Sequence, residues 1–322
     1  MRRRCVVSLA AVLVLATGCT RTHPRLAASA PTTLAPAGAA GPACTPNRSH
    51  VAGQTTVPMS FGGADRDFIL YVPASYQGNA GVPIVFDFHG YGSTASQQIV
   101  YGDYRGLADR NGFVVVAPDG QGDGSRRHFN LGNETGLADD VLFTLAILDR
   151  LEGELCIDAR RVFSTGMSDG GAMTSILACR ASDRFAAFGP VAVVIYVPQC
   201  NAAQPVALAA FMGTADPIVP FNGGPVHCCD HSVVPAASAS MAGWASHDGC
   251  RASSDKSVSS QVVLRQWRGC KAGAEVRFYM IQGGGHTWPG AKFDVPVLGL
   301  TTKEISASDT LWAFFVSHPR SS

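Results

Sequence analysis

Short apolar runs alternate with segments of helical spacing along most of the chain. Six runs are rich in valine and phenylalanine and carry few polar residues: 82–90, 112–120, 161–166, 185–194, 205–213 and 274–285. Runs without alternation are typical of strands that are buried on both faces, as in a parallel sheet. Apolar residues recur at helical spacing in two places, Leu137, Val141, Leu145 and Leu148, and Leu311, Phe314 and Phe315.

This alternation predicts βαβ units and therefore an α/β fold with a mostly parallel central sheet flanked by helices. Two earlier runs, 55–61 and 67–73, favour an antiparallel pair of strands at the start of the sheet. The chain shows no internal repeat and no second shift of composition after about residue 44. We therefore predict one folded domain over residues 44–322.

The first 43 residues have a different composition. Three arginines precede an apolar run of 11 residues, 5–15, which is too short to span a membrane and has the form of a signal peptide over residues 1–18. The sequence Leu-Ala-Thr-Gly-Cys at 15–19 resembles a bacterial lipobox, which predicts lipid attachment at Cys19; ordinary secretion is the alternative. Residues 19–43 are rich in alanine, proline and threonine, as expected of a linker.

Composition excludes some functions. The chain has 322 residues, is 46% hydrophobic and carries a formal net charge of +1. A nucleic-acid partner is not expected, because such domains usually carry a clear excess of lysine and arginine. Membrane contact is expected only through the N-terminal lipid anchor, and the oligomeric state is left open.

Eight cysteines remain outside the signal and the lipobox: Cys44, Cys156, Cys179, Cys200, Cys228, Cys229, Cys250 and Cys270. An even number in an exported chain indicates disulfides. The alternative is a metal site at His227-Cys228-Cys229-Asp230-His231, although adjacent cysteines rarely close a tetrahedral site. We expect disulfides and no metal.

Spacing around Ser168 predicts one of the pairs. A strand of about six residues rises about 20 Å from Cys156 to the serine, and a helix of 11 residues descends about 17 Å to Cys179. Both sulfurs would then return to the same edge of the sheet, which predicts a Cys156–Cys179 bond. Cys250–Cys270 is the second predicted pair, and three connectivities remain for the other four cysteines.

Ser168 is the candidate nucleophile. It lies in TGMSDGGAM, 165–173, between a predicted strand and a helix-forming run, with Gly166 and Gly170 two residues away on either side. This context is that of a nucleophile elbow, in which a sharp turn exposes the serine at the carboxyl edge of a sheet above a helix N-terminus. A glycine turn without catalytic function is the alternative.

A nucleophilic serine needs a histidine base and an acid that orients it, in the chain order serine, acid, histidine for this architecture. His286 follows the last strong strand in GGGHTWPG, and Asp216 follows the strand at 205–213. These are the predicted base and acid. Asp139 and Asp140 open a helix and are expected to be structural. The oxyanion hole is predicted to use the N–H groups of Asp169 and Tyr91.

Four motifs in this order, DFHGYG, GMSDGGAM, GTADPIVPF and GGGHTWPG, resemble the α/β-hydrolase esterases of the polyhydroxybutyrate depolymerase and feruloyl or acetylxylan esterase group. The resemblance covers about residues 54–315. It implies hydrolysis of carboxylic esters, with Ser168, Asp216 and His286 at the triad positions and no cofactor. Asp169 and the HFN segment at 128–130 depart from the residues common in that group.

The expected substrates are small-molecule or polymer-pendant esters with short or aromatic acyl groups. The connection at 195–204 is too short for the helical lid that lipases of this fold carry there, and Trp288 beside His286 is a candidate flat wall for the substrate. The alternatives are an acyltransferase with the same triad, a peptidase of related fold and a non-catalytic binding lipoprotein.

Overall fold

The structure, a computed structural model, describes residues 41–132, 134–229 and 232–321. The predicted signal peptide, the lipidation site Cys19 and most of the predicted linker lie outside these residues, as do Asp230 and His231. Among the described residues, no helix combines the length and apolar character needed to cross a membrane.

Twelve strands and six α-helices alternate along the described chain. The strands are β1 (Gly53–Phe61), β2 (Ala64–Val72), β3 (Val82–Phe88), β4 (Val114–Pro118), β5 (Ile157–Met167), β6 (Ala187–Val191), β7 (Ala207–Gly213), β8 (Gly224–Pro225), β9 (Val233–Val234), β10 (Ala252–Ser257), β11 (Val262–Arg268) and β12 (Val276–Ile281). The helices are α1 (Ala95–Tyr101), α2 (Tyr104–Asn111), α3 (Asp140–Glu154), α4 (Asp169–Arg180), α5 (Ala237–His247) and α6 (Ala307–Val316).

Ten strands form one sheet in the order β1-β2-β4-β3-β5-β6-β7-β12-β11-β10. The six central strands, from β4 to β12, are parallel, and antiparallel strands complete the sheet at both edges. Two apolar clusters cover the two faces, one with α3 and α4 and the other with α1, α2 and α6. The predicted mostly parallel sheet flanked by helices is confirmed.

The strands at the β10 edge differ from the prediction. β10 and β11 lie between β7 and β12 in the chain, whereas the sequence predicts no strand there. Every residue of β10 is exposed, and β11 is only partly buried along most of its length. Such strands carry no continuous apolar run, because they form a hairpin at the solvent-facing edge of the sheet.

The disulfides are Cys44–Cys156, Cys179–Cys200, Cys228–Cys229 and Cys250–Cys270. The predicted Cys250–Cys270 bond is confirmed. Because Cys228 and Cys229 are bonded to each other, neither offers a free thiolate to a metal. Among the described residues there is no cluster of three histidine, cysteine, aspartate or glutamate side chains arranged to hold a metal.

The predicted Cys156–Cys179 bond is wrong. Cys156 lies in the sheet layer just before β5, whereas Cys179 is in the last turn of α4, which packs over one face of the sheet. A disulfide rarely joins Cα atoms more than about 7 Å apart. Two cysteines at the same edge of the sheet but in different layers, one in the sheet and one in a helix, are therefore not necessarily close enough to bond. Cys156 instead bonds Cys44, because residues 41–44 run beside residues 79–81 at the start of β3, with Gly41 donating to the Gly81 carbonyl at 3.0 Å.

Candidate active site

Ser168 occupies the turn between β5 and α4. Its φ of 57° and ψ of −119° lie outside the ordinary regions for a residue with a side chain. The surrounding packing fixes this conformation: a Cβ on Gly170 would lie only 2.1 Å from the carbonyl oxygen of Phe88. The Ser168 N–H donates to the Val191 carbonyl at 2.9 Å, which ties the turn to β6. This is the geometry of a nucleophile elbow.

His286 and Asp216 come together across 70 residues of sequence. Nδ1 of His286 lies 2.8 Å from Oδ2 of Asp216, and the two side chains are 4% and 0% exposed. Oδ1 of Asp216 accepts from the N–H groups of Ile218 and Val219, both at 2.8 Å. The carboxylate is therefore held on one side by backbone and on the other by the imidazole.

Parallel strands explain why these residues meet. Ser168, Asp216 and His286 follow β5, β7 and β12, whose carboxyl ends lie at the same edge of the sheet. Backbone hydrogen bonds join the loop after β7, which carries Asp216, to the end of β12 and the loop that carries His286. Thr214 donates to the Ile281 carbonyl at 2.9 Å, and Ala215 donates to the Gly284 carbonyl at 3.0 Å. Ligand sites of open α/β sheets lie at this edge.

The loop after β3 approaches the serine closely. A Cβ on Gly90 would lie 3.2 Å from the Cβ of Ser168, and Tyr91 lines the space beside the serine. Asp169 is the first residue of α4, and the first N–H groups of a helix have no partner within it. Tyr91 and Asp169 thus both lie beside Ser168, next to a helix N-terminus that favours negative charge. That their N–H groups form an oxyanion hole stays a prediction.

His89 supports the loop after β3, a role for which the sequence gives no local pattern. It is fully buried; Nδ1 donates to the Gly90 carbonyl at 2.7 Å, and Nε2 accepts from the Gly120 N–H at 2.9 Å. Burial lowers its pKa to about 4, so the ring is neutral at physiological pH and keeps one donor and one acceptor. It fixes the loop that carries Gly90 and Tyr91.

Two cavities open on either side of Ser168. The smaller, about 420 Å³, combines apolar residues such as Val193 and Ile195 with polar ones such as His128, Glu134 and Asp169. The larger, about 590 Å³, contains His286 and is mostly apolar, with further lining by Tyr101, Phe293, Val295 and Leu298. Both volumes are in the range of small-molecule binding sites.

The polar side of the smaller cavity has perturbed acid–base properties. Loss of solvent raises the pKa of Asp169 to about 7, although its Oδ2 accepts from the Phe129 N–H at 2.8 Å. Burial lowers the pKa of His128, but the Arg126 carbonyl and Glu134 outweigh it and raise the pKa overall. The ring of His128 also stacks with that of Tyr91, their centroids 5.4 Å apart. Perturbed groups beside a nucleophile are a common mark of functional sites.

Trp288 is not the substrate wall that the sequence predicts. It is 1% exposed, its Nε1 donates to the Ser308 hydroxyl at 2.9 Å, and it is not among the residues that line the two cavities beside Ser168. The ring packs edge-on against Tyr104 in the core beneath α6. Sequence proximity to His286 was misleading because the side chain of Trp288 points into the core. Tyr101 and Phe293 supply the aromatic lining instead.

The sheet order and a serine on a strand-to-helix elbow together define the α/β-hydrolase fold. The described fold is also similar to that of the acetyl xylan esterase from Aspergillus awamori, at 14% identity and a TM-score of 0.55 over 73% of this chain and 94% of that one. The structure titled pOPH Native is similar too, at 16% identity and a TM-score of 0.52 over 87% of this chain and 91% of that one. At these identities the likeness shows the fold.

The chain belongs to the family described as Esterase PHB depolymerase, whose model matches residues 66–259. Feruloyl esterase B of Piromyces equi is 27% identical over 69% of this chain and 42% of its own length. "Probable feruloyl esterase C" of Aspergillus flavus is 32% identical over 50% of this chain and 58% of its own. The chain thus spans about half the length of these two relatives.

A third relative is similar over nearly its whole length. The protein named "Putative esterase NocK", from Nocardia uniformis subsp. tsuyamanensis, is 27% identical over 95% of this chain and 96% of its own.

Proposed function

We propose that this chain is a serine carboxylic-ester hydrolase that acts through Ser168, His286 and Asp216. The observation that carries the proposal is the buried His286–Asp216 hydrogen bond of 2.8 Å, in a site whose larger cavity is lined by both His286 and the strained Ser168. Nucleophile, base and orienting acid are the three roles that acyl transfer requires.

The reaction has two halves. Nε2 of His286 removes the proton of the Ser168 hydroxyl as its Oγ attacks the ester carbonyl carbon, and the N–H groups of Tyr91 and Asp169 hold the oxyanion. The imidazolium then protonates the leaving alcohol, which departs and leaves an acyl-serine. Water, deprotonated by His286, attacks the acyl carbon and releases the acid and the free serine. Asp216 keeps the proton of the neutral imidazole on Nδ1 and stabilises the imidazolium.

We propose short or aromatic acyl esters, either small molecules or groups pendant from a polymer, as substrates. The connection at 192–206 consists of turns and irregular chain, without a helix that could cover the serine. A chain of sixteen carbons would need continuous apolar cover, at about 0.8 kcal/mol per methylene, whereas His128, Glu134 and Asp169 interrupt the lining of the smaller cavity. Tyr91 and Phe129, which line the same cavity, are suited to a flat acyl group.

The proposed domain organisation is a signal peptide at 1–18, a lipid-anchored linker at 19–43 and the catalytic domain at 44–322. Four disulfides support export, because disulfides persist in oxidising compartments. The basic head, the apolar run and Cys19 support cleavage and lipid attachment. Labelling cells with a radioactive fatty acid, for the natural chain and Cys19→Ala, tests the anchor; equal labelling of both would contradict it.

The catalytic proposal is tested with nitrophenyl butyrate and methyl ferulate on the natural protein, Ser168→Ala and His286→Ala. We expect each variant to lower turnover by several orders of magnitude while its thermal unfolding is unchanged, because the triad acts as a unit. Turnover within tenfold of the natural protein in either variant would refute the triad. Product analysis with and without an added sugar alcohol distinguishes a hydrolase, which releases the free acid, from an acyltransferase.

A further inference from the structure

The bonded pair Cys228–Cys229 lies beside the proposed catalytic serine. Both residues line the smaller cavity and the larger one. Cys228 is partly buried against the apolar cluster below, whereas Cys229 is exposed and has a φ of 64°. Because the two cysteines are adjacent in sequence, their bond closes no loop between distant segments, so it adds little to the stability of the fold by restraining the unfolded chain.

Five residues are common to the two cavities: Tyr91, Ser168, Ile218, Cys228 and Cys229. The carbonyl carbon of a bound ester must lie at the Ser168 hydroxyl, so the acyl group extends into one cavity and the alcohol into the other. The residues shared by both therefore surround the atoms next to the scissile bond. This argument rests on the proposed function.

Proton transfer decides which half of the ester occupies which cavity. His286 must reach the leaving oxygen as general acid, and it lines the larger cavity only. The alcohol is thus assigned to the larger cavity and the acyl group to the smaller. The cysteine pair then lies beside the first carbons of the acyl chain, where that chain joins the carbonyl.

The pair is held firmly in this place. The His227 N–H donates to the Ile218 carbonyl at 2.9 Å, and Nδ1 of His227 donates to the Pro217 carbonyl at 3.0 Å. These bonds attach the segment to the loop that follows Asp216. The covalent ring also removes the free rotation of two side chains, so that the sulfurs form a fixed apolar surface. Divalent sulfur is polarisable and packs favourably on π systems.

We propose that the Cys228–Cys229 ring is a specificity-determining wall of the acyl site that packs against a flat, conjugated acyl group, such as an aryl-acryloyl group. A planar chain can lie along a fixed surface, whereas a saturated chain of the same length bends at its tetrahedral carbons and loses part of this contact.

Two methyl esters test this contact, methyl ferulate and its saturated analogue. They have the same aromatic ring and the same alcohol, and they differ only in whether the acyl chain contains a carbon–carbon double bond. We expect the ratio of their kcat/KM values to fall about three- to tenfold in Cys228→Ser/Cys229→Ser, the range of one sulfur–π contact. Cys250→Ser/Cys270→Ser is the matched control, because it removes a disulfide that lines neither cavity. An unchanged ratio in the first variant, or an equal fall in the control, would overturn the proposal.

A second measurement does not depend on the folding of a cysteine variant. Ser168→Ala is treated with a water-soluble phosphine, which breaks the sulfur–sulfur bond to give two thiols while phosphorus gains an oxygen from water. Alkylation and peptide mass mapping then give the reduction rate of each disulfide. Saturating methyl ferulate should slow the reduction of Cys228–Cys229 and leave that of Cys250–Cys270 unchanged.

If Cys228–Cys229 is reduced at the same rate with and without the ester, the proposed contact between the disulfide and the acyl group is refuted. The two proposals are separable, because hydrolysis by the natural protein tests the reaction, whereas protection in Ser168→Ala tests contact without turnover.

Discussion

Replacing Asp216 by asparagine tests the triad at its orienting residue, with almost no change of shape. In the natural protein Oδ1 accepts two backbone N–H groups, from Ile218 and Val219, and Oδ2 accepts the Nδ1 proton of His286. An asparagine amide has one acceptor oxygen and one donor nitrogen. The two backbone donors will retain the oxygen, so the NH₂ group must face Nδ1 of His286.

This orientation determines the size of the effect. An NH₂ donor opposite Nδ1 forces that nitrogen to accept, which moves the imidazole proton to Nε2. A protonated Nε2 cannot take the proton of Ser168, so the general base is lost, although the oxyanion hole and the binding cavities remain. For a serine triad the wrong tautomer lowers kcat about 10⁴-fold, equivalent to about 5 kcal/mol of activation free energy.

The assay is kcat and KM for nitrophenyl butyrate, with thermal unfolding of both proteins as the measure of folding. The chain offers a matched control in His247–Asp248, whose Nδ1–Oδ1 distance is also 2.8 Å and which lines neither cavity beside Ser168. We expect Asp248→Asn to keep kcat within about threefold even where it lowers the unfolding temperature. If Asp216→Asn keeps kcat within tenfold, Asp216 is not the orienting acid.

Three further outcomes are expected. Burial raises the pKa of Asp87 from its ordinary 3.8 to about 8; the folded state therefore keeps a proton that the unfolded state loses, so stability falls as pH rises from about 4 to 8. Asp87→Asn should remove the part of this decline that Asp87 contributes, and urea unfolding at pH 5, 7 and 9 checks it: an equal difference from the natural protein at every pH would contradict the assignment. Arg66 is buried 2.6 Å from Asp140, so Arg66→Met should leave an unpaired buried carboxylate and cost about 3–5 kcal/mol in denaturant unfolding; a loss below about 1 kcal/mol would show that the pair contributes little. In a chain-length series of nitrophenyl esters, kcat/KM should peak at short acyl groups and show no rise above the critical micelle concentration; a peak at long chains would refute the open, uncovered cleft.

The sequence was sufficient to predict the strands and helices whose buried positions form a regular pattern along the chain. The six central strands are buried on both faces and read as unbroken apolar runs, and their predicted positions agree with the structure to within a few residues. The antiparallel start of the sheet is also confirmed. The sequence was insufficient for β10 and β11, because strands at an exposed edge need no apolar pattern.

For the candidate site, the sequence supplied the residues and their order, since a nucleophile elbow has its own local signature and the other two residues follow strands. The structure brings His286 and Asp216 into contact and places His286 and Ser168 on the same cavity. His89 has no such signature: its function depends on carbonyl and N–H groups from two separate loops. Trp288 shows the reverse case, in which closeness in sequence to His286 did not mean closeness to the cavity.

The sequence by itself determined which segments form the parallel sheet and which side chains stand at its carboxyl edge, because burial on both faces and the tight turn at Ser168 are properties of short stretches of chain. Tertiary structure alone decided the partner of Cys156. Cys156 bonds Cys44, 112 residues away, because two segments lie side by side at the base of β3 and β5. It also decided that Cys228–Cys229 borders both cavities. A disulfide requires two Cα atoms within about 7 Å, and that distance depends on the stacking of layers, which no local pattern encodes.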